Sequence, residues 1–309
     1  MNVHRDTPIQ PPMHPASDTL NETATATLVG HLQALWRYPI KSMLGEQLQR
    51  LEVEARGVVG DRGHALWDEE SCRVASAKNP RRWADLLSYS ASYLGEPRSG
   101  EPLPPVAVHG PFAGPGTPAE TLTSQDPALA QRLSQRLGRA VTLLDQAPTG
   151  ASLEHYWPVV EGRELQDATD ELVLPEGTFF DSCPLHALST ATLAELRRLE
   201  PSLDFAVERF RPNLLIDTGA ALGFVEERWI GGILAIGEQV RLRVDSECPR
   251  CVITTLAQGG LPEDLEILRA TARHNRVVAG IRLSVLRPGP LAVGDPVHWL
   301  PGDSLGPGA

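Results

Sequence analysis

Hydrophobic and polar positions alternate in several short runs, the period expected of half-buried strands. "LVGHLQALWRYPI" (28–40) reads as a strand that stops at Pro39, because proline has no N–H for a ladder. "LQRLEVEA" (48–55), "HALWDEE" (64–70), "AVTLLDQ" (140–146) and "NLLIDT" (213–218) read the same way. "ILAIGEQVRLRVD" (233–245) predicts a hairpin or a bent strand broken at Gly237, and "AGIRLSVLRPGPLAVGDPVHWL" (279–300) predicts two strands around a Pro-Gly turn.

The helical period appears in fewer places. "PALAQRLSQRLG" (127–138) has Pro127 suited to a first turn and Gly138 to the position after the last. "TATLAELRRL" (190–199) places Thr192 and Glu195 at capping-box spacing. "PRRWADLLSYSA" (80–91) and "PEDLEILRATARHN" (262–275) complete the set. The Pro- and Gly-rich stretch 95–118 reads as a long loop, and 146–178 as a connection. Residues 1–27 lack periodicity and read as a disordered tail. Many short strands with a few inserted helices predict an α+β, mostly β, barrel-like protein rather than a parallel βαβ sheet.

The chain has 309 residues, enough for one large or two ordinary domains. Its net charge of −11 opposes nucleic acid and anionic membranes unless a basic patch intervenes. No apolar run reaches the ~18 residues of a membrane helix, and the first residues lack a signal-peptide core. A cytoplasmic protein with reduced thiols is expected.

The candidate chemistry centres on "SECPRCVITTLAQGG" (246–260), with Cys248 and Cys251 two residues apart. A structural zinc site needs four ligands, and the other cysteines, Cys72 and Cys183, stand singly. A thioredoxin-like pair opens a helix, for which the β-branched "VITT" is poorly suited. Zinc, a redox pair and two buried cysteines in a turn all stay open at this level. A second signal is cationic. Lys41 and Ser42 follow the strand ended by Pro39, Arg62 sits in "GDRG", and Arg209 and Arg211 sit in "RFRPNLL". Any one of these can be surface charge. Together, at strand ends in an acidic chain, they suggest one anionic ligand. Ser189, before a helix, reads first as a cap, although a hydroxyl and free amides there also suit phosphate.

"LWRYPIKSMLGEQL", "GVVGDRGHALWD", "FFDSCPLHALSTATLAEL", "RFRPNLLID", "CPRCVITT" and "LAVGDPVHWL" occur in this order over about residues 28–300. In this the chain resembles the MOSC family, and most nearly its two-part bacterial members and the mitochondrial amidoxime-reducing component. The resemblance implies a MOSC-type β-barrel (149–302) with a second, N-terminal β-rich domain (28–148) and a short tail (303–309). It implies a molybdenum cofactor, Mo-molybdopterin, held between them. Cys251 falls on the family's metal-ligand cysteine, which makes it the implied catalytic and metal residue. A soft thiolate suits a metal already bound through sulfur. Lys41, Ser42, Arg62, Ser189, Arg211 and Asn213 fall on its cofactor-contacting positions. His186, Pro249 and Arg250 are implied pocket residues, and Cys248 is a neighbour.

The implied activity is reduction of N-hydroxylated small molecules, such as amidoximes, hydroxylamines and N-hydroxylated bases. The sequence contains neither a desulfurase domain nor a four-cysteine iron–sulfur module, so a separate electron-donor protein is expected as partner, and neither nucleic acid nor membrane. The alternatives are a sulfur carrier with a persulfide on Cys251, and a cofactor-binding module without turnover.

Overall fold

The computed structural model describes residues 26–161 and 164–302. The expected tails at 1–27 and 303–309 lie almost wholly outside the described residues.

Seven strands close a barrel: β1 (Thr27–Arg37), β2 (Leu185–Ser189), β3 (Leu214–Asp217), β4 (Ile233–Ile236), β5 (Val240–Pro249), β6 (Val278–Arg287) and β7 (Pro296–Leu300). Their order is β3-β2-β6-β5-β4-β7-β1, and β1 pairs back onto β3 to complete the ring. Only β2 and β3 run parallel; every other pairing in the ring is antiparallel. That parallel step needs a crossover, which helix α3 (Thr190–Leu199) provides. The sheet is thus a mostly β barrel, as expected, and closure removes its free edges.

Period-two patterning fills the barrel. Leu185 and Ala187 of β2, Leu214 and Ile216 of β3, and Leu242 and Val244 of β5 share the interior cluster. Leu188 and Leu215, one residue out of phase, pack instead beneath α3 and helix α4 (Glu266–Asn275). Strand β1 breaks strict alternation: its register slips between Leu32 and Ala34 against β3. The extra residue moves the inward face from Leu32 to Leu35, while Ala34 and Trp36 face the outer cluster. Leu242 is fully buried here. Leu242→Ala should cost about 2–5 kcal/mol of unfolding free energy, read by denaturant titration. A cost no larger than that of an exposed-site substitution would contradict this interior.

The second unit packs Ile40, Met43, Leu66, Tyr89, Val106 and Val108 against helix α2 (Ala128–Leu137). Gly138 closes α2 at φ 68°, the left-handed conformation its sequence position anticipates. Segments from both halves of the chain interleave. Strand β1 belongs to the barrel, and the hairpin Ser152–Trp157/Ala168–Val173 packs with Ala65 and Val74.

Several local expectations fail. The helix expected over 80–91 is one turn, α1 (Pro80–Trp83), and a 3-10 segment; Ser90–Tyr93 then joins a sheet with Val106–Gly110. Thus the loop expected over 95–118 and the connection over 146–178 both contain strands, whose pairing across the sheet outweighs weak local patterning. The segment 279–300 holds three strands, with Gly289–Ala292 leaving the barrel to pair with Arg50–Glu54. Helix α4 begins at Glu266, later than Pro262. Among the described residues, no helix is long and apolar enough to cross a membrane.

Candidate cofactor site

The site lies where the loop after β1, the loops before β2 and β3, and the end of β5 converge. Arg62, Arg211, Asn213, Pro249, Arg250, Cys251 and His186 line one pocket. All seven were candidates on sequence, drawn from four separate stretches of the chain.

Tyr38 organises the cations. It is buried at the end of β1, with the Arg211 guanidinium 4.3 Å and the Arg62 guanidinium 4.6 Å from its ring centre. Its hydroxyl donates to Pro212 O at 3.1 Å, and burial pushes it up to about 12, so the ring stays neutral. Asp61 counters the positive charge. It pairs with Arg62, accepts from Tyr38 N at 2.7 Å and accepts from Asn213 Nδ2 at 3.1 Å. Asn213 therefore orients a carboxylate while lining the pocket. Arg62 and Arg211 both adopt left-handed backbone, φ 47° and 52°, as does Ser42 at 64°. Non-glycine residues reach that region at a cost, and such costs cluster at functional sites.

Lys41 and Ser42 support the pocket without lining it. Lys41 Nζ donates to Phe179 O at 2.6 Å and to Asp181 Oδ1 at 2.5 Å. Burial lowers its pKa, and Asp181 opposes that shift. Ser42 Oγ accepts from Ala77 N at 3.0 Å, which fixes the chain beside Lys78. Lys78 Nζ then pairs with Asp181 Oδ2 at 3.2 Å. The two ammonium groups overcome the burial of Asp181 and hold its carboxyl well below the usual carboxylate range.

Ser189 is placed elsewhere. It is fully buried, its hydroxyl accepts from Thr192 N at 3.0 Å, and it donates to Glu226 Oε2 at 2.5 Å. Ser189, not Thr192, caps α3; Thr192 Oγ1 is committed to the same carboxylate at 2.8 Å. The capping-box reading is corrected by this buried carboxyl, contributed from a distant segment.

The stretch after the cysteine pair is a 3-10 turn, Val252–Thr255, capped by Cys251. Thr254 Oγ1 donates to Cys251 O at 3.0 Å and Thr255 Oγ1 to Val252 O at 2.7 Å. The threonine pair thus satisfies carbonyls that a strand would have used. The Cys251 side chain makes no capping bond to this turn and is half-buried. Among the described residues, no group of three or more His, Cys, Asp or Glu side chains is placed to hold a metal ion.

Sequence reasoning missed Lys78, Asp181, Cys183 and Arg282, which also line the pocket. Asp181 and Cys183 stand within the motif that begins at Phe179, whereas no local pattern marks Lys78 or Arg282. Five cations, Arg62, Lys78, Arg211, Arg250 and Arg282, face one carboxylate, Asp181. Burial pulls Arg211 down to about 10, a measure of what holding this charge costs. Arg211 Nη1 and Arg282 Nε are buried without a hydrogen-bond partner. Buried donors rarely go unpaired, so two guanidinium nitrogens in this state point to an anionic ligand. A thiol, a cationic wall and unpaired donors fit a phosphate-bearing cofactor with a soft metal.

The MOSC domain family model matches residues 175–298, and the MOSC N-terminal beta barrel domain model matches residues 29–84. The chain is 26% identical to mitochondrial amidoxime-reducing component 1 of Mus musculus, covering 88% of this chain and 83% of that protein. It is likewise 26% identical to mitochondrial amidoxime reducing component 2 of Homo sapiens, over 87% and 83%. The YUAD protein of Bacillus subtilis, a solved structure, is 13% identical with a TM-score of 0.44, covering 90% of this chain and 98% of that one.

Proposed function

This chain belongs to the MOSC family, and on that premise we propose that it is a molybdenum-cofactor oxidoreductase that reduces N-hydroxylated compounds with electrons from a separate donor. The observation that carries the proposal is the buried cationic pocket, with unpartnered nitrogens on Arg211 and Arg282, built around the Cys251 thiol. The names of its relatives, amidoxime-reducing components, support the substrate class.

Arg211, Arg62, Arg282 and Lys78 hold the anionic part of the cofactor, and Cys251 gives the metal its protein thiolate. The Tyr38 plate fixes two of these guanidinium groups, so little side-chain freedom is lost on binding. Lys41 acts through Asp181, and Ser42 through the backbone at Ala77. The chemistry supplied by the bound group is two-electron cleavage of an N–O bond, in which R–NHOH, two electrons and two protons give R–NH2 and water. The surrounding residues bind and orient; the cationic wall favours neutral over cationic substrates. The proposal assigns the activity to the cytoplasm, with a small-molecule substrate and neither nucleic acid nor membrane as partner.

The test is metal analysis of purified protein combined with turnover of benzamidoxime by reduced viologen, which replaces the donor protein. Stoichiometric molybdenum and amidine formation that scales with molybdenum content are expected. Fully loaded protein that reduces no N–OH compound in a broad panel would leave a cofactor-binding module, and metal-free protein bearing a persulfide a sulfur carrier.

A further inference from the structure

The fold builds a distinct environment for the Cys248 thiol. Its residue lies at the end of β5, buried. Arg250 Nη1 donates to its sulfur at 2.9 Å, and Arg250 Nη2 is anchored on Phe210 O at 2.5 Å. His186 comes from β2, on the far side of β6. It can reach because β6 carries Gly280 at the crossing point. A Cβ at Gly280 would lie 2.4 Å from His186 Nε2 and 2.4 Å from Ala187 O. With glycine there, the imidazole crosses the strand, meets Ala279 O at 3.2 Å and approaches Arg250 Nη1 to 3.4 Å.

We propose that Cys248, with His186 and Arg250, is a nucleophilic thiol site that reacts with small hydroperoxides. A thiol, an imidazole beside it and a third group orienting the imidazole is the arrangement that activates cysteine nucleophiles. Three thiols, Cys183, Cys248 and Cys251, line this pocket, and their surroundings separate the first two. Burial opposes the Cys248 thiolate, but His186, Arg250 and Arg282 outweigh it and pull the thiol down to about 5. Cys183 is pushed up to about 12 by burial and by the neighbouring Cys248 anion. Cys248 therefore carries the negative charge, and Cys183 stays a neutral thiol.

The step balances without a cofactor. The Cys248 sulfur attacks one oxygen of hydrogen peroxide, an S–O bond forms and the O–O bond breaks. Sulfur loses two electrons to the peroxide. The leaving hydroxide takes a proton from solvent and departs as water, and Cys248 is left as a sulfenic acid. The site stands whether or not the reductase reading does.

The test treats the purified full chain with hydrogen peroxide and dimedone and follows all four cysteine peptides by mass spectrometry. Thiolate fraction and nucleophilicity trade off, so the advantage is greatest below neutral pH. At pH 6, Cys248 is expected to label about tenfold faster than exposed Cys72. Between pH 6 and 8 its rate should stay nearly flat, while the rate of free glutathione, added as a reference thiol, climbs about tenfold per unit. The groups facing Cys248 are His186, Arg250, Arg282 and Cys183, and His186→Gln should restore a pH-dependent rate at Cys248. The wild-type profile decides the matter even if that variant fails to fold. Cys248 that stays unlabelled, or whose rate climbs with pH in parallel with that of glutathione, would overturn the proposal.

Discussion

Cys251→Ser is expected to lose molybdenum and N-hydroxyl reduction together, with no measurable product under reduced viologen. The reason is ligand chemistry. A serine hydroxyl is a hard, weakly acidic donor, and the proposed metal sits among sulfur ligands that favour soft partners. The fold gives no competing explanation for such a loss. Cys251 makes no side-chain capping bond to its turn, whose carbonyls are held by the Thr254 and Thr255 hydroxyls, so the variant should melt within a few degrees of the parent. Cys248→Ser should keep most of the activity, because that sulfur is engaged by Arg250 rather than offered to the metal. Metal analysis, turnover and a thermal melt on both variants check this. Equal losses in the two would mean that the division into one ligand and one neighbour is wrong.

Arg211→Ala should lower cofactor occupancy by about ten- to a hundredfold in affinity, and Lys41→Ala should act in the same direction. A charge-assisted contact to an anion is worth about 1.5–3 kcal/mol, and each 1.4 kcal/mol is about tenfold. The two variants act by different routes. Arg211 presents a buried nitrogen without a partner, so its loss removes a direct contact. Lys41 is spent on Phe179 O and Asp181, so its loss frees a carboxylate to repel the anion. Lys41→Ala should therefore be partly rescued by also changing Asp181→Asn, whereas Arg211→Ala should not. Molybdenum and pterin content are the readouts. Normal content in both single variants would contradict an anion held by this wall.

Features set by neighbouring residues were legible in the chain itself. Pro127 and Gly138 bracket α2, Pro39 stops β1 before Lys41, and Gly237 separates β4 from β5, because proline and glycine act on their own backbone dihedrals. The ordered motifs also brought Arg62, Arg211, Asn213, Pro249, Arg250, Cys251 and His186 forward, and all seven line one pocket. Only the tertiary structure decided the rest. Closure of the barrel depends on β1 meeting β3, a pairing between strands far apart in the chain that leaves no local period. Ser189 reads first as a cap and does cap α3, but only the fold shows that its hydroxyl also donates to Glu226 from another segment. Lys78 and Arg282 carry no spacing signal, and Asp181 and Cys183 stand in a motif without being marked out in it; all four line the pocket beside one another. Gly280 looks like any strand glycine until the His186 ring is seen to cross it. Local conformational preference is written residue by residue, whereas burial and charge proximity belong to the folded arrangement, which the chain states only collectively.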